Sequence, residues 1–113
     1  MTLIYKIATA PQWRDAEAQR WFTGAPVDIA DGYIHFSTAE TVRETAAKHF
    51  TGQEGLVLAA CDAEALGSAL KWEISRGGAL FPHLYRALDL SEILWAKSLP
   101  LRNGAHDFSD LLP

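Results

Sequence analysis

Asp31-Gly32-Tyr33-Ile34-His35-Phe36-Ser37-Thr38-Ala39-Glu40 is the stretch on which the reading of this chain turns. Asp31-Gly32 suits a tight turn, and Tyr33 to Ser37 alternate as a strand with Tyr33, His35 and Ser37 on one face and Ile34 and Phe36 on the other. Ser37-Thr38-Ala39-Glu40 matches a capping box, in which the Ser oxygen accepts from the third helical N–H and the Glu reaches back. The spacing predicts a helix from there to about Phe50, with Val42, Ala46, His49 and Phe50 on one face and Gly52 just past its end. A polar strand face feeding a helix N-terminus attracts anions, which puts His35, Ser37 and Thr38 in a position to hold a phosphate or a ribose hydroxyl. The same residues equally describe a cap and a packed strand histidine, and spacing alone does not choose.

Working outward, Leu3 to Ile7 reads as a first strand, and Pro11 to about Phe22 as a helix whose Trp13 and Trp21 face the core. Thr23 to Gly32 lacks periodicity and reads as a loop. Leu56 to Cys61 is an unbroken apolar run that suits a central strand, and Asp62 to Leu66 a single helical turn. Leu70 to Ile74 alternates Leu70, Trp72 and Ile74 against Lys71 and Glu73, which predicts a half-buried strand with the apolar set inward. Ser75 to Gly78 turns the chain into Leu80 to Tyr85, where Pro82 argues for an edge strand or an irregular segment. Ile93 to Leu99 is a last strand, and the tail 102–113 carries too little periodicity to assign. About six short strands with two main helices and no regular βαβ repeat indicate a single compact α+β domain over 1–101, with a mixed or antiparallel sheet.

The 113 residues leave room for one domain, and 49% hydrophobic residues suffice for a self-standing core. Ten basic against fourteen acidic side chains, net −4, disfavour a protein that binds nucleic acid through bulk charge. No apolar run reaches the ~18 residues of a membrane span, and Met1 to Pro11 lacks the marks of a signal peptide, so the expectation is a soluble cytoplasmic protein. One Cys forms no internal disulfide; Cys61 closes an apolar run and reads as a small buried hydrophobe. The four His show no metal-ligand spacing, so no metal is expected. His49 reads as a helix-end residue and His106 as a tail residue.

A second polar group comes from Trp72-Glu73 and Phe81-Pro82-His83-Leu84-Tyr85. If the latter stretch is extended, Phe81, His83 and Tyr85 share one face, as a pocket wall would, though an ordinary edge strand has the same pattern. Glu73 is either a solvated strand carboxylate or a partner of that wall.

Taken together, Ile4-Tyr5-Lys6-Ile7, Asp31 to Thr38, Trp72-Glu73 and Phe81 to Tyr85 resemble the domain of unknown function 952 family over about residues 3 to 101. Arg86-Ala87 stand where that family's last motif continues with Gly and Pro. The family in turn resembles the ADP-ribosyltransferase-like superfamily, which implies a split α+β fold clamping NAD between two small sheets. The resemblance implies a groove lined by Tyr5, Lys6, Tyr33, His35, Ser37, Thr38, Glu73, His83, Tyr85 and Arg86, with His35, His83 and Glu73 as the catalytic candidates. It implies either NAD as substrate, with Glu73 stabilising an oxocarbenium-like ribose, or a 2′-phosphorylated nucleotide held by His35, His83 and Arg86. A non-catalytic module that binds a nucleotide or metabolite is the alternative, and a purely structural hydrogen-bond network the third reading.

Overall fold

The computed structural model describes residues 1–113, apart from the side chain of Arg76. Its first strand, β1 (Leu3–Thr9), hands over directly to helix α1 (Ala10–Gln19), because Thr9 is the last strand residue and also the N-cap. Its side-chain oxygen accepts from the Gln12 N–H at 3.3 Å, and the Gln12 side chain returns a bond to the Thr9 N–H at 2.9 Å. Arg20, left-handed at φ 70°, ends α1 three residues earlier than the sequence predicts. Trp21–Phe22 leave the helix as strand β2, so Trp13 is buried while Trp21 stays 45% exposed, contrary to its expected place in the core.

The predicted loop 23–32 contains helix α2 (Pro26–Asp31), started by Pro26 and closed by left-handed Gly32. It escapes a periodicity search because its polarity is inverted: Val27 and Ile29 face solvent while Asp28 is buried. The decisive stretch forms two strands. β3 (Ile34–His35) and β4 (Ser37–Thr38) are parted by Phe36, and each belongs to a different sheet. Ser37 and Thr38 pair with Tyr5 and Ile4 of β1, so they do not cap a helix; α3 (Val42–His49) begins after Thr41. The hydrogen-bonding demand of a sheet edge overrides the local capping pattern.

Strand β5 (Leu56–Asp62) pairs antiparallel with all of β1. A 3₁₀ segment, Ala63–Ala69, leads to β6 (Leu70–Ile74), then β7 (Leu80–Leu84), β8 (Leu88–Asp89) and β9 (Ile93–Leu99). In the tail, where periodicity assigns no element, β10 (Leu101–Arg102) and β11 (Ala105–His106) form a hairpin. The main sheet has the order β4-β1-β5-β9 and the second the order β3-β7-β6, with every pairing antiparallel. Of the mixed and antiparallel alternatives, the antiparallel one holds. Strand β7 is central in the second sheet, although Pro82 argued for an edge.

The main sheet is covered on both faces. Ile4, Ala8, Ala59 and Cys61 pack against Trp13, Phe22, Ile34 and Leu84 on one side, while Tyr5, Ile7, Leu58 and Leu99 pack against Val42, Ala46 and Phe108 on the other. Phe108 is 4% exposed, so the C-terminal segment supplies part of the second core. Truncating a buried Phe removes its transfer free energy and leaves a cavity. Phe108→Ala is expected to lower stability by about 3–5 kcal/mol in denaturant unfolding, whereas a tail lying loosely on the surface would give almost no change.

Candidate functional site

The side chains of Tyr33 and His35 share a face of the second sheet with Phe81 and His83 of β7, with Tyr85 just past its end, and with Lys71 and Glu73 of β6, because His35 pairs with His83 and Lys71 with His83 in register. The apolar set of β6 lies on the core side, where Leu70 packs against the first core, but the strand overhangs that core and leaves Trp72 and Ile74 exposed; Glu73, on the other face, turns toward the histidines. The ring centroids of His35 and His83 lie 5.5 Å apart, edge to face. Tyr33 stacks on His83 at 4.1 Å and 28°, and its ring centroid is 4.6 Å from that of His35.

Each histidine is held by a carboxylate. His83, its side chain 5% exposed, contacts Glu73 Oε1 through Nδ1 at 2.8 Å. The same oxygen accepts from the Tyr85 hydroxyl at 2.6 Å. The hydrogen bonds from Tyr85 and then His83 lower the Glu73 carboxyl, and Glu73 pushes the Tyr85 phenol up to about 12. With an ionised Glu73 as acceptor, Nδ1 carries the hydrogen of the neutral His83 ring and Nε2 becomes its acceptor. His35 Nδ1 lies 2.6 Å from Asp28 Oδ1, and its Nε2 lies 2.9 Å from Asp31 Oδ2, an arrangement in which an imidazolium donates twice.

Asp28 is the centre of the network, and the sequence reading passed over it. Its carboxylate is 1% exposed and accepts from Lys6 Nζ at 3.0 and 2.9 Å, from the Ala25 N–H at 2.8 Å and from the His35 N–H at 3.1 Å. Burial by itself would raise this acid, but the His35 bond, the Lys6 charge and bond, and the Ala25 N–H outweigh it and hold the group at about 2. Lys6 is pushed down by burial and drawn back up by Asp28. The overlooked signal was Lys6 itself: an ammonium in the middle of an apolar strand demands a buried counter-ion. Gly24, at φ +119°, permits the approach, since a Cβ there would stand 2.8 Å from that of Asp28.

A cleft of about 590 Å³ opens where the two sheets part around Phe36. Lys6, Asp31, Tyr33, His35, Ser37 and His83 line it, together with Gln12, Thr45 and Phe50. Tyr5 also borders it, but its side chain lies in the second core, 6.1 Å from Trp95, and its hydroxyl has no hydrogen-bond partner among the described residues. Ser37 Oγ is 3.0 Å from Thr45 Oγ1. Glu73 and Tyr85 stand behind His83 and are absent from the cleft wall. Thr38 bonds Thr41 in the turn before α3, and Arg86 makes a two-pronged pair with Glu92 at 2.8 Å; neither reaches the cleft. Asp31 is the carboxylate in the wall that the candidate set left out. His106 bonds the Gln53 carbonyl, and burial raises the Cys61 thiol to about 12, which leaves it unreactive. Among the described residues no group of three or more His, Cys, Asp and Glu is arranged to hold a metal ion, and no helix is long and apolar enough to cross a membrane.

Residues 7–96 match the family described as Protein of unknown function (DUF952), and the chain belongs to that family. The crystal structure of protein CC0527 from Caulobacter crescentus is similar to it at 54% identity, covering 96% of each chain, with a TM-score of 0.93. The solution structure of the same Caulobacter protein is similar over 99% of this chain and 97% of that one, at 54% identity and a TM-score of 0.88. No curated protein matches the sequence.

The depressed Asp28 carboxyl fixes the sign of a pH dependence. A group at about 2 when folded and at 3.8 ordinarily contributes stability above pH ~4 that is lost as the pH falls toward ~2. Denaturant unfolding between pH 5 and 2 is expected to lose roughly 2 kcal/mol from this group. Asp28→Asn removes that part of the slope and, by stranding the Lys6 charge, costs about 3–5 kcal/mol at neutral pH. A variant as stable as the parent, with the same acid slope, would place the network outside the folding energetics.

Proposed function

We propose that the cleft binds a nucleotide- or metabolite-sized ligand and that His83 and His35 perform acid–base chemistry on it of the ADP-ribosyl type, with NAD or a 2′-phosphorylated nucleotide as substrate. The observation that carries this reading is the pairing of two carboxylate-held histidines on one wall of a cleft at the seam between two sheets. His83, oriented through Nδ1 by Glu73, offers Nε2 as a base; His35, between Asp28 and Asp31, offers a proton. Glu73 is a positioning residue here, since its Oε1 is committed to His83 and Tyr85. Asp31, in the wall, takes over the role of the carboxylate that gains as positive charge develops on a ribose.

One observation favours the alternative of a binding module without turnover. Lys6 spends its three contacts on the two Asp28 oxygens and the His35 carbonyl, and Arg86 donates to Glu92, Leu66 and Ala87. Phosphate contacts then fall to the imidazoles and backbone N–H groups.

NMR titration with NAD, ADP-ribose and a 2′-phosphorylated nucleotide, read at the imidazole nitrogens, together with an assay of nicotinamide release and of 2′-phosphate loss, separates the readings. The expected result is shifts at His35 and His83, with turnover reduced by roughly 10²-fold or more in His83→Gln and Glu73→Gln. Shifts without turnover select the binding module. No shift at either histidine at millimolar ligand overturns both.

A further inference from the structure

We propose that the chain forms a symmetric dimer through β6, pairing antiparallel with β6 of a second copy so that Trp72 meets Trp72 on the two-fold axis. Strand β6 is the outer strand of the β3-β7-β6 sheet. The bonds from Ser75 N–H to the Ala79 carbonyl and from Tyr85 N–H to the Ala69 carbonyl, both 2.9 Å, set the alternation. Odd-numbered residues of β6 bond inward to β7, so Leu70, Trp72 and Ile74 turn their backbone groups outward. The Leu70 N–H is used by the Gly67 carbonyl. Among the described residues, that leaves both polar groups of Trp72, the Ile74 N–H and the Leu70 carbonyl to complete a ladder.

Natural edge strands are commonly blunted by Pro, by bulges or by charges that repel a second strand. The run Leu70-Lys71-Trp72-Glu73-Ile74 contains neither Pro nor Gly, and its pairing with β7 is regular. Its charges select one register. Centred on Trp72, an antiparallel pair puts Lys71 of each copy opposite Glu73 of the other and Leu70 opposite Ile74. Sliding by two residues in either direction sets Lys71 against Lys71 or Glu73 against Glu73, like charges directly opposed. The pattern is therefore complementary to itself and to little else. Lys71 and Glu73 fall at the closely spaced, non-hydrogen-bonded positions of the new ladder, where side chains interact best.

The other face of the strand supplies the apolar contact. Trp72 is 41% exposed, Ile74 75% and its β7 partner Leu80 53%. A two-fold axis through Trp72 brings two copies of this patch side by side in a six-stranded sheet. On the opposite face, Lys71 of the second copy arrives beside Glu73, the carboxylate that holds His83. The dimer thus adds a cation next to the site from outside the chain.

Sedimentation velocity over a micromolar to sub-millimolar concentration series tests the pairing without any ligand, so its outcome is separate from that of the ligand titration. The wild-type chain is expected to move from one-chain to two-chain mass. Lys71→Glu and Glu73→Lys each place like charges opposite one another and are expected to weaken association at least tenfold. An equimolar mixture of the two variants restores complementarity at every contact and is expected to return to two-chain mass. Ile74→Lys, at an exposed position that the fold tolerates, is expected to give the same loss if either charge variant fails to fold. A wild-type chain that stays monomeric at the highest concentration, a dimer that survives all three substitutions, or folded charge variants whose mixture stays monomeric would each overturn the pairing.

Discussion

Taking an ammonium and a carboxylate out of water together costs several kcal/mol per ion, and only close pairing with full hydrogen bonding makes the burial tolerable. Lys6 and Asp28 meet that demand in this chain, and much of the architecture follows from how they do so. Lys6 lies on β1, on the face that also carries Ile4 and Ala8, and reaches out of the apolar core toward the second sheet. Asp28 comes to it from α2, a helix too short to be stable in isolation and turned with its polar residue inward. The remaining acceptor capacity of the carboxylate goes to the Ala25 N–H, which starts α2, and to the backbone and ring of His35, which start the second sheet. A single ion pair thereby ties β1, α2 and β3 at the point where the two sheets diverge. The cleft lies beside that knot because the knot holds the sheets in a fixed relation there.

The strands were legible where burial and period agree. Leu3 to Ile7, Leu56 to Cys61 and Ile93 to Leu99 belong to a sheet covered or half-covered on its faces, and their β-branched and apolar content announces it. Alternation also groups His83 with Tyr85 and His35 with Tyr33, and the register between β3, β7 and β6 then brings both groups and Glu73 to one face of the second sheet. What could not be read is instructive. In α2 the hydrophobic pattern is inverted, since an ion pair occupies its inward position. In β6 alternation matches both period and face, but the strand runs past the edge of the core, so Leu70 packs inward while Trp72 and Ile74 stay exposed. At Ser37 to Glu40 a genuine local motif lost to a sheet edge, because pairing with β1 satisfies the backbone groups of Ser37 and Thr38 better than a cap would.

The two histidines differ in ways that bear on chemistry. His83 is almost sealed, stacked under Tyr33 and touched by one carboxylate, whereas the His35 side chain is 32% exposed and lies between two. The two rings thus sit in different surroundings, one between two carboxylates and one stacked under a phenol with a single carboxylate at Nδ1. Asp28 supports the first ring from a buried position and Glu73 the second from a partly exposed one.

Pro82 links the cleft to the far edge of the same sheet. A central strand normally excludes proline because a ladder bond is lost. In an antiparallel strand each residue points its nitrogen and carbonyl to the same side, and the Pro82 carbonyl accepts from the Phe36 N–H at 3.0 Å. Its missing donor therefore faces β3 at the residue where the chain departs for the main sheet, so the ladder to β6 loses nothing. The same parity forces Trp72, the partner of Pro82 on β6, to turn its own backbone groups away from β7. One imino acid thus accommodates the parting of the sheets that opens the cleft, and its position in the register leaves the outward-facing groups of β6 without a partner within the sheet.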